Sequence, residues 1–414
     1  MLNKINKRNI LVLGCSVAAI GYIFSIATAS LGMILFIVSW LINFKEIDFK
    51  KITRLGSIHW VVYLFIYLIL GLLYTSDLYQ GQKIIIRHLS FLIFPLIFLT
   101  IKPFTKEEKA FVIKFFIYSL TFFFIVCFAH AIFRQILLYQ RGGGFNWYFF
   151  FRYDLLEVLR QHPVYVAMYA NLAISFLLFY KNKLVSKKWL VTILLFIQII
   201  GVLFSGSRIG YIILFIIIAL NIKKNVKLQS GTFNKGKIAI YVLSAITLLL
   251  VMWNIPIIKE RVLFTLGYDY EYKFNKKQFV KDGMPEKKGR LLLWQDSFEL
   301  IKERPFLGYG TGDAQTELNK IYKKNEHEWF LKERYNSHNT YLTLLIMGGF
   351  IFLILYLLLL REIYIYGMEH NDLGALSFFI IIILVSITET IFRAQGILFF
   401  TFFYCFFLSK KTNE

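Results

Sequence analysis

The chain has 414 residues, 57% of them hydrophobic and 18% aromatic, and a mean hydropathy of +0.60, too apolar for a water-soluble globular fold of this length. Its 47 basic and 25 acidic residues give a formal charge of +22. The basic residues gather in short links between apolar runs, a pattern that records insertion orientation and argues against nucleic acid as a partner.

Many runs approach the ~20 apolar residues that cross a bilayer. They predict an all-α polytopic membrane protein of about twelve transmembrane helices, at 9–26, 28–44, 57–74, 84–101, 109–138, 163–180, 189–204, 207–222, 237–254, 339–360, 372–390 and 392–408. "KINKR", an apolar stretch and Ala27-Thr28-Ala29 resemble a signal peptide, but "LGMILFIVSWLINF" follows at once, so two membrane helices are expected. The first and second spans, like the seventh and eighth, read as tight helical hairpins with small residues at the turn. Cys15, Cys127 and Cys405 all fall inside apolar runs without CxxC spacing, so neither a disulfide framework nor a zinc site is expected.

A cytoplasmic N-terminus puts the basic links "KEIDFKKITR", "KNKLVSKK" and "KKNVKLQSGTFNKGK" and the terminal "SKKTNE" on the cytoplasmic side. "TSDLYQGQK", an aromatic loop after 139, "SGSR" and a long insert then face outward. The expected division is 1–254 (helices one to nine), 255–338 (an outer, partly helical loop) and 339–414 (helices ten to twelve). No repeat of fixed period is visible.

The insert opens with "PIIKERVLFTLGYDYEYKFNKK", which has no clear period. "GRLLLWQDSFELIKERP" predicts an amphipathic helix with Leu291, Trp294, Phe298 and Ile301 on one face, ended by Pro305. "PFLGYGTGD" predicts a glycine-rich turn, and "AQTELNKIYKKNEHEWFLKERY" a second helix returning to the membrane.

Three residues stand out chemically. Arg208 sits between two apolar runs, where a charge costs a few kcal/mol unless paired or solvated. It reads either as a snorkelling side chain or as an anion site helped by Ser205, Gly206 and Ser207. Arg290 begins the amphipathic helix, an unfavourable place for a cation unless an anion binds there too. Alone it reads as a solvated charge beside Lys287 and Lys288. His338 lies at the mouth of the tenth span among Asn336, Ser337 and Asn339, which suit a helix cap. It reads either as an interfacial histidine or as a general base.

Secondary candidates are Arg87, beside His88 in "IIIRHLSFLIFP", and His162, a polar anchor or an acceptor contact. Glu389 and Arg393 flank the last outer turn and suit a mutual pair. "RGGGFNWYFFFRYD" is expected as an interfacial aromatic belt.

The order "SGSR", then "GRLLLWQDSFELIKERPFLGYGTGD", then "SHNTYLTLLIMGGF" resembles the O-antigen ligase and polymerase superfamily of bacterial envelopes, and "QHPVYVAMYANLAISFLL" is similar to its sixth-span region. The resemblance is sharpest over about 160–350. It implies a glycosyltransferase C-like fold in the bacterial inner membrane. It also implies transfer of a glycan from an undecaprenyl-diphosphate carrier to an acceptor hydroxyl on the periplasmic face, on lipid A-core or a similar molecule, with no cofactor and no metal. By the same resemblance Arg208 and Arg290 engage the donor diphosphate, and His338 activates the acceptor. A repeat-unit polymerase and a protein O-glycosylating enzyme remain open, and the Arg–Arg–His order leans toward the ligase. A lipid-linked glycan transporter is the alternative from another class, disfavoured by the missing repeat.

Overall fold

The computed structural model describes residues 6–53, 56–180, 184, 187–228 and 289–409, and these carry helices and connecting turns with no strand. The expected span 237–254 and the opening of the long insert lie outside them. Each of the other expected spans falls on a helix or a helix pair. Among the described residues, five helices are long and apolar enough to cross a membrane, or six if one bent pair counts as a span, and four shorter apolar helices accompany them. The described residues are thus all-helical, and their apolar helices fit a polytopic membrane protein.

Helices α1 (Lys7–Ala18), α2 (Gly21–Phe24) and α3 (Ile26–Ile42) form the expected hairpin. Ser25 makes the turn in extended conformation, and its hydroxyl and that of Thr28 close a capping box. Gly14 lets the Ser39 side chain, and Gly32 the backbone of Val17 and Ala18, approach closely across the two arms. After α4 (His59–Leu70), α5 (Leu78–Arg87) and α6 (Ser90–Thr100) form a candidate span of 23 residues. It starts earlier than expected because Asp77 caps it, accepting from the Gln80 amide at 3.0 Å.

The long α7 (Lys106–Gln140) leads to a short 3₁₀ turn, then to α8 (Arg152–Leu156) and α9 (Pro163–Phe179). The chain bends by 83° between the Arg152–Leu159 segment and α9. α10 (Lys188–Ser205) and α11 (Arg208–Leu228) form the second tight hairpin. α9 and α17 (Ala394–Leu408) are apolar on every side and lie in the centre, as all-round apolar helices must. Rings of Tyr22, Tyr169, Phe378 and Phe403 close around Phe399.

The segment expected to lie outside departs from expectation in three places. Helix α12 (Gly289–Glu303) forms, but it buries Leu293, Asp296, Ser297, Leu300 and Ile301 and leaves Leu291 and Phe298 exposed. The reason is Asp296, whose carboxylate accepts from Asn325 Nδ2 and His327 Nδ1, both at 2.7 Å. A satisfied carboxylate can occupy an inner face. The same bonds break the expected second helix into α13 (Ala314–Lys324) and α14 (Glu328–Lys332), with Glu326 at φ 56° between them.

The third departure is the glycine-rich turn, which packs into a break in α15 (Thr340–Glu369) at Gly349 (φ 62°). The amides of Tyr309 and Gly310 donate to the carbonyls of Ile346 and Met347 at 2.8 and 2.9 Å. A Cβ at position 349 would stand 2.1 Å from the Phe306 carbonyl oxygen. Gly349→Ala is therefore expected to destabilise the fold by about 1–3 kcal/mol, read as a lower melting temperature in detergent. Helix α16 (Leu373–Thr388) then runs to the turn before α17.

Candidate active site

Asn339 caps α15 by accepting from the Leu342 amide at 3.1 Å, as the sequence suggested. His338 just before it adopts φ 45°, a strained value for a side-chain-bearing residue, held by the Asn336 side chain accepting from its amide at 2.9 Å. Against the His338 ring lies Tyr335, centroid to centroid 5.3 Å.

His338 Nδ1 donates to Glu389 Oε2 at 3.2 Å, and Arg290 from the start of α12 reaches Glu389 Oε1 at 3.4 Å. One carboxylate therefore joins the imidazole and the guanidinium. A carboxylate can only accept, so Nδ1 carries the hydrogen, and in the neutral ring Nε2 holds the lone pair. The turn bearing Glu389 is fixed from two sides. Thr340 Oγ1 donates to the Glu389 carbonyl at 2.7 Å and accepts from the Ile391 amide at 2.9 Å, while Tyr165 on α9 donates to the Thr390 carbonyl at 3.0 Å.

Arg208 opens α11. Gly206 before it has φ 66°, and its open side is filled by the Arg152 and Phe151 side chains. Asn171 of α9 donates to the Gly210 carbonyl at 3.1 Å and fixes this first turn of α11. Arg290 and Arg152 both act electrostatically on Arg208, so three guanidinium groups gather here. His162 lies within electrostatic reach of Glu389 and His338, and its Nε2 is 3.0 Å from the Tyr153 hydroxyl. Arg87 is more peripheral: it is exposed, and its charge is felt with that of Arg393.

Two features escaped the sequence. Glu389 bonds to Arg290 and His338 instead of pairing with Arg393 as expected. An acid ending an apolar run was the available signal. Arg152 was hidden in the expected aromatic belt. Phe145, Trp147 and Tyr153 of that loop are exposed, but Phe151 and Arg152 turn inward to Gly206. Among the described residues, no group of three or more His, Cys, Asp or Glu side chains is arranged to hold a metal ion.

Burial pushes the Glu389 carboxyl upward. The hydrogen bond from His338 and the charges of His162, His338 and Arg290 outweigh that and hold it below the ordinary carboxylate value. A depressed carboxyl adds stability above its unfolded pKa of about 4.3 and loses it as pH falls through the folded value. Thermal melts of wild type and Glu389→Gln should therefore differ near neutral pH and converge under acid.

The fold and site define a polytopic membrane protein whose basic cluster suits an anionic substrate, with an imidazole beside it. The family described as O-antigen ligase matches residues 193–357, a segment that contains Arg208, Arg290 and His338, and the match supports an O-antigen ligase-like superfamily for this part of the chain. No curated protein matches the chain.

Proposed function

We propose that this protein transfers a glycan from an undecaprenyl-diphosphate carrier to an acceptor hydroxyl, on lipid A-core or a similar molecule, at the periplasmic face of the bacterial inner membrane. In this reading the chain crosses about twelve times, both termini are cytoplasmic, and residues 255–338 form a loop on the periplasmic side. The observation that carries it is the meeting of Arg290 and His338 on Glu389, with Arg208 in electrostatic reach.

The acceptor oxygen attacks the anomeric carbon from the side opposite the diphosphate, which inverts that carbon. His338 Nε2 takes the hydroxyl proton, and Glu389 holds the ring in the required tautomer. The bond from carbon to phosphate oxygen breaks, and its electron pair leaves with the lipid diphosphate. Arg208 and Arg290 stabilise the charge that develops there. The donor already carries its leaving group, so the step requires neither a nucleotide nor a metal.

The test is reconstitution in proteoliposomes with an undecaprenyl-diphosphate-linked glycan. Three acceptors are offered separately: lipid A-core, a second lipid-linked repeat unit and a serine-containing protein. Transfer to lipid A-core is the expected result. A ladder of lengthened glycans formed only with the second repeat unit would make the protein a polymerase, and transfer only to the serine-containing protein would make it a protein-glycosylating enzyme. Absence of transfer to all three acceptors sinks the reading.

A further inference from the structure

A break inside a membrane helix frees backbone groups that lipid cannot satisfy, so it persists only where protein supplies partners. At Gly349 the partner is the segment 305–311. Besides the Tyr309 and Gly310 bonds, the Phe350 amide donates to the Pro305 carbonyl at 2.8 Å, and the Tyr67 hydroxyl donates to the Gly348 carbonyl at 2.7 Å. Thr311 ties the segment to the end of α4, its hydroxyl donating to the Leu68 carbonyl at 2.7 Å and its amide to Gly71 at 3.3 Å.

The depth of this junction follows from the two helices that meet it. Ser57, just before α4, hydrogen-bonds Glu362 of α15, and Arg361 beside it is exposed, which marks the far boundary of the apolar region. From Glu362 back to Gly349, α15 rises about 20 Å, and from His59 to Gly71, α4 rises about 18 Å, at 1.5 Å per residue. Tilt would shorten both. The hydrocarbon core is about 30 Å thick, so the junction lies about 10 Å inside it, in the leaflet on the side of the Glu389 cluster.

Side chains in the segment divide accordingly. Gly308 through Asp313 are buried, whereas Phe306 and Leu307 are 70% and 54% exposed. Phe306 meets Phe350, ring centroids 6.3 Å apart, and Phe350 begins the exposed apolar line Phe350, Ile354, Leu357 of a helix that qualifies as a span. On the other flank, the Tyr74 hydroxyl donates to the Leu307 carbonyl at 2.8 Å, beside the exposed Leu73.

We infer that residues 305–311 form a re-entrant segment whose Phe306–Leu307 tip sits among the lipid acyl chains of that leaflet. The patch is continuous with the lipid-facing sides of α4 and α15, which is why its occupant is lipid. Because the tip directly follows α12, it sets the depth at which Arg290, at the other end of that helix, meets a membrane-borne substrate. The inference rests on the membrane-spanning reading of α4 and α15 and stands whether or not transfer is observed.

Cys15, Cys127 and Cys405 are buried, so a thiol-reactive bimane can be directed to Phe306→Cys in the full-length protein in nanodiscs. Quenching by phosphatidylcholine carrying a nitroxide on its acyl chain, with protection from iodide, is the expected result. Lys320→Cys, at an exposed position of α13, supplies the aqueous reference and should show the reverse. Quenching of the Phe306 site by iodide but not by the nitroxide lipid would place the tip in water and overturn the inference. Protection from both would mean that protein, such as a second copy of the chain, covers the tip, and would overturn it equally. Leu307→Cys provides the same measurement if Phe306→Cys does not fold.

Discussion

His338→Ala should slow glycan transfer by about 10²–10⁴-fold, the range for losing a positioned general base, while binding of the lipid-diphosphate donor stays near wild type. The asymmetry follows from the geometry. His338 contacts Glu389 through Nδ1, so its other nitrogen is available to a hydroxyl, whereas the guanidinium groups of Arg208 and Arg290 suit the diphosphate. Single-turnover transfer separates chemistry from binding, and donor affinity is read independently by titration with undecaprenyl diphosphate. If the loss appeared entirely in donor affinity, His338 would be a diphosphate contact and the assignment of a base would fail. Wild-type turnover in His338→Ala would return the residue to the interfacial role that its sequence position alone suggests.

The sequence displayed the elements whose cause is local. The spans follow from runs of apolar residues, Asn339 caps a helix because its own side chain reaches three residues ahead, and Gly206 turns the chain because glycine takes the left-handed conformation there. What it concealed was long-range. Glu389 lies 51 residues from His338 and 99 from Arg290, and only the fold brings α16, α12 and the start of α15 together. The inner face of α12 is set by the same long-range cause. Asp296 looks like a solvent-facing residue until Asn325 and His327 arrive from the next helices to satisfy it. Likewise "PFLGYGTGD" carries every mark of a surface turn, and "MGGF" reads as an uninterrupted span. Only together do they explain each other, because each supplies the hydrogen bonds that the other lacks.

Arg208→Ala and Arg290→Ala should each lower kcat/KM for the lipid-linked donor by about 10²–10³-fold, equivalent to about 2.7–4 kcal/mol of lost transition-state stabilisation. Lysine should rescue either position only in part, because it keeps the charge and loses the planar fork that matches phosphate oxygens. The two positions differ in what else they touch. Arg208 stands in a group of like charges with Arg152 and Arg290, an arrangement that becomes favourable when an anion enters. Arg290 is already engaged with Glu389, and its side chain is 42% exposed, so that ion pair adds little stability by itself. Its removal nevertheless takes away one of the charges that depress the Glu389 carboxyl. The carboxyl should then protonate at higher pH, and activity of Arg290→Ala should fall away on acidification sooner than that of Arg208→Ala. Kinetics of the two variants from about pH 3.5 to 7, a window that spans the ordinary carboxylate range, would test this. Identical acid limbs would mean that Arg290 acts on the donor alone and that Glu389 does not link the diphosphate side of the site to the base.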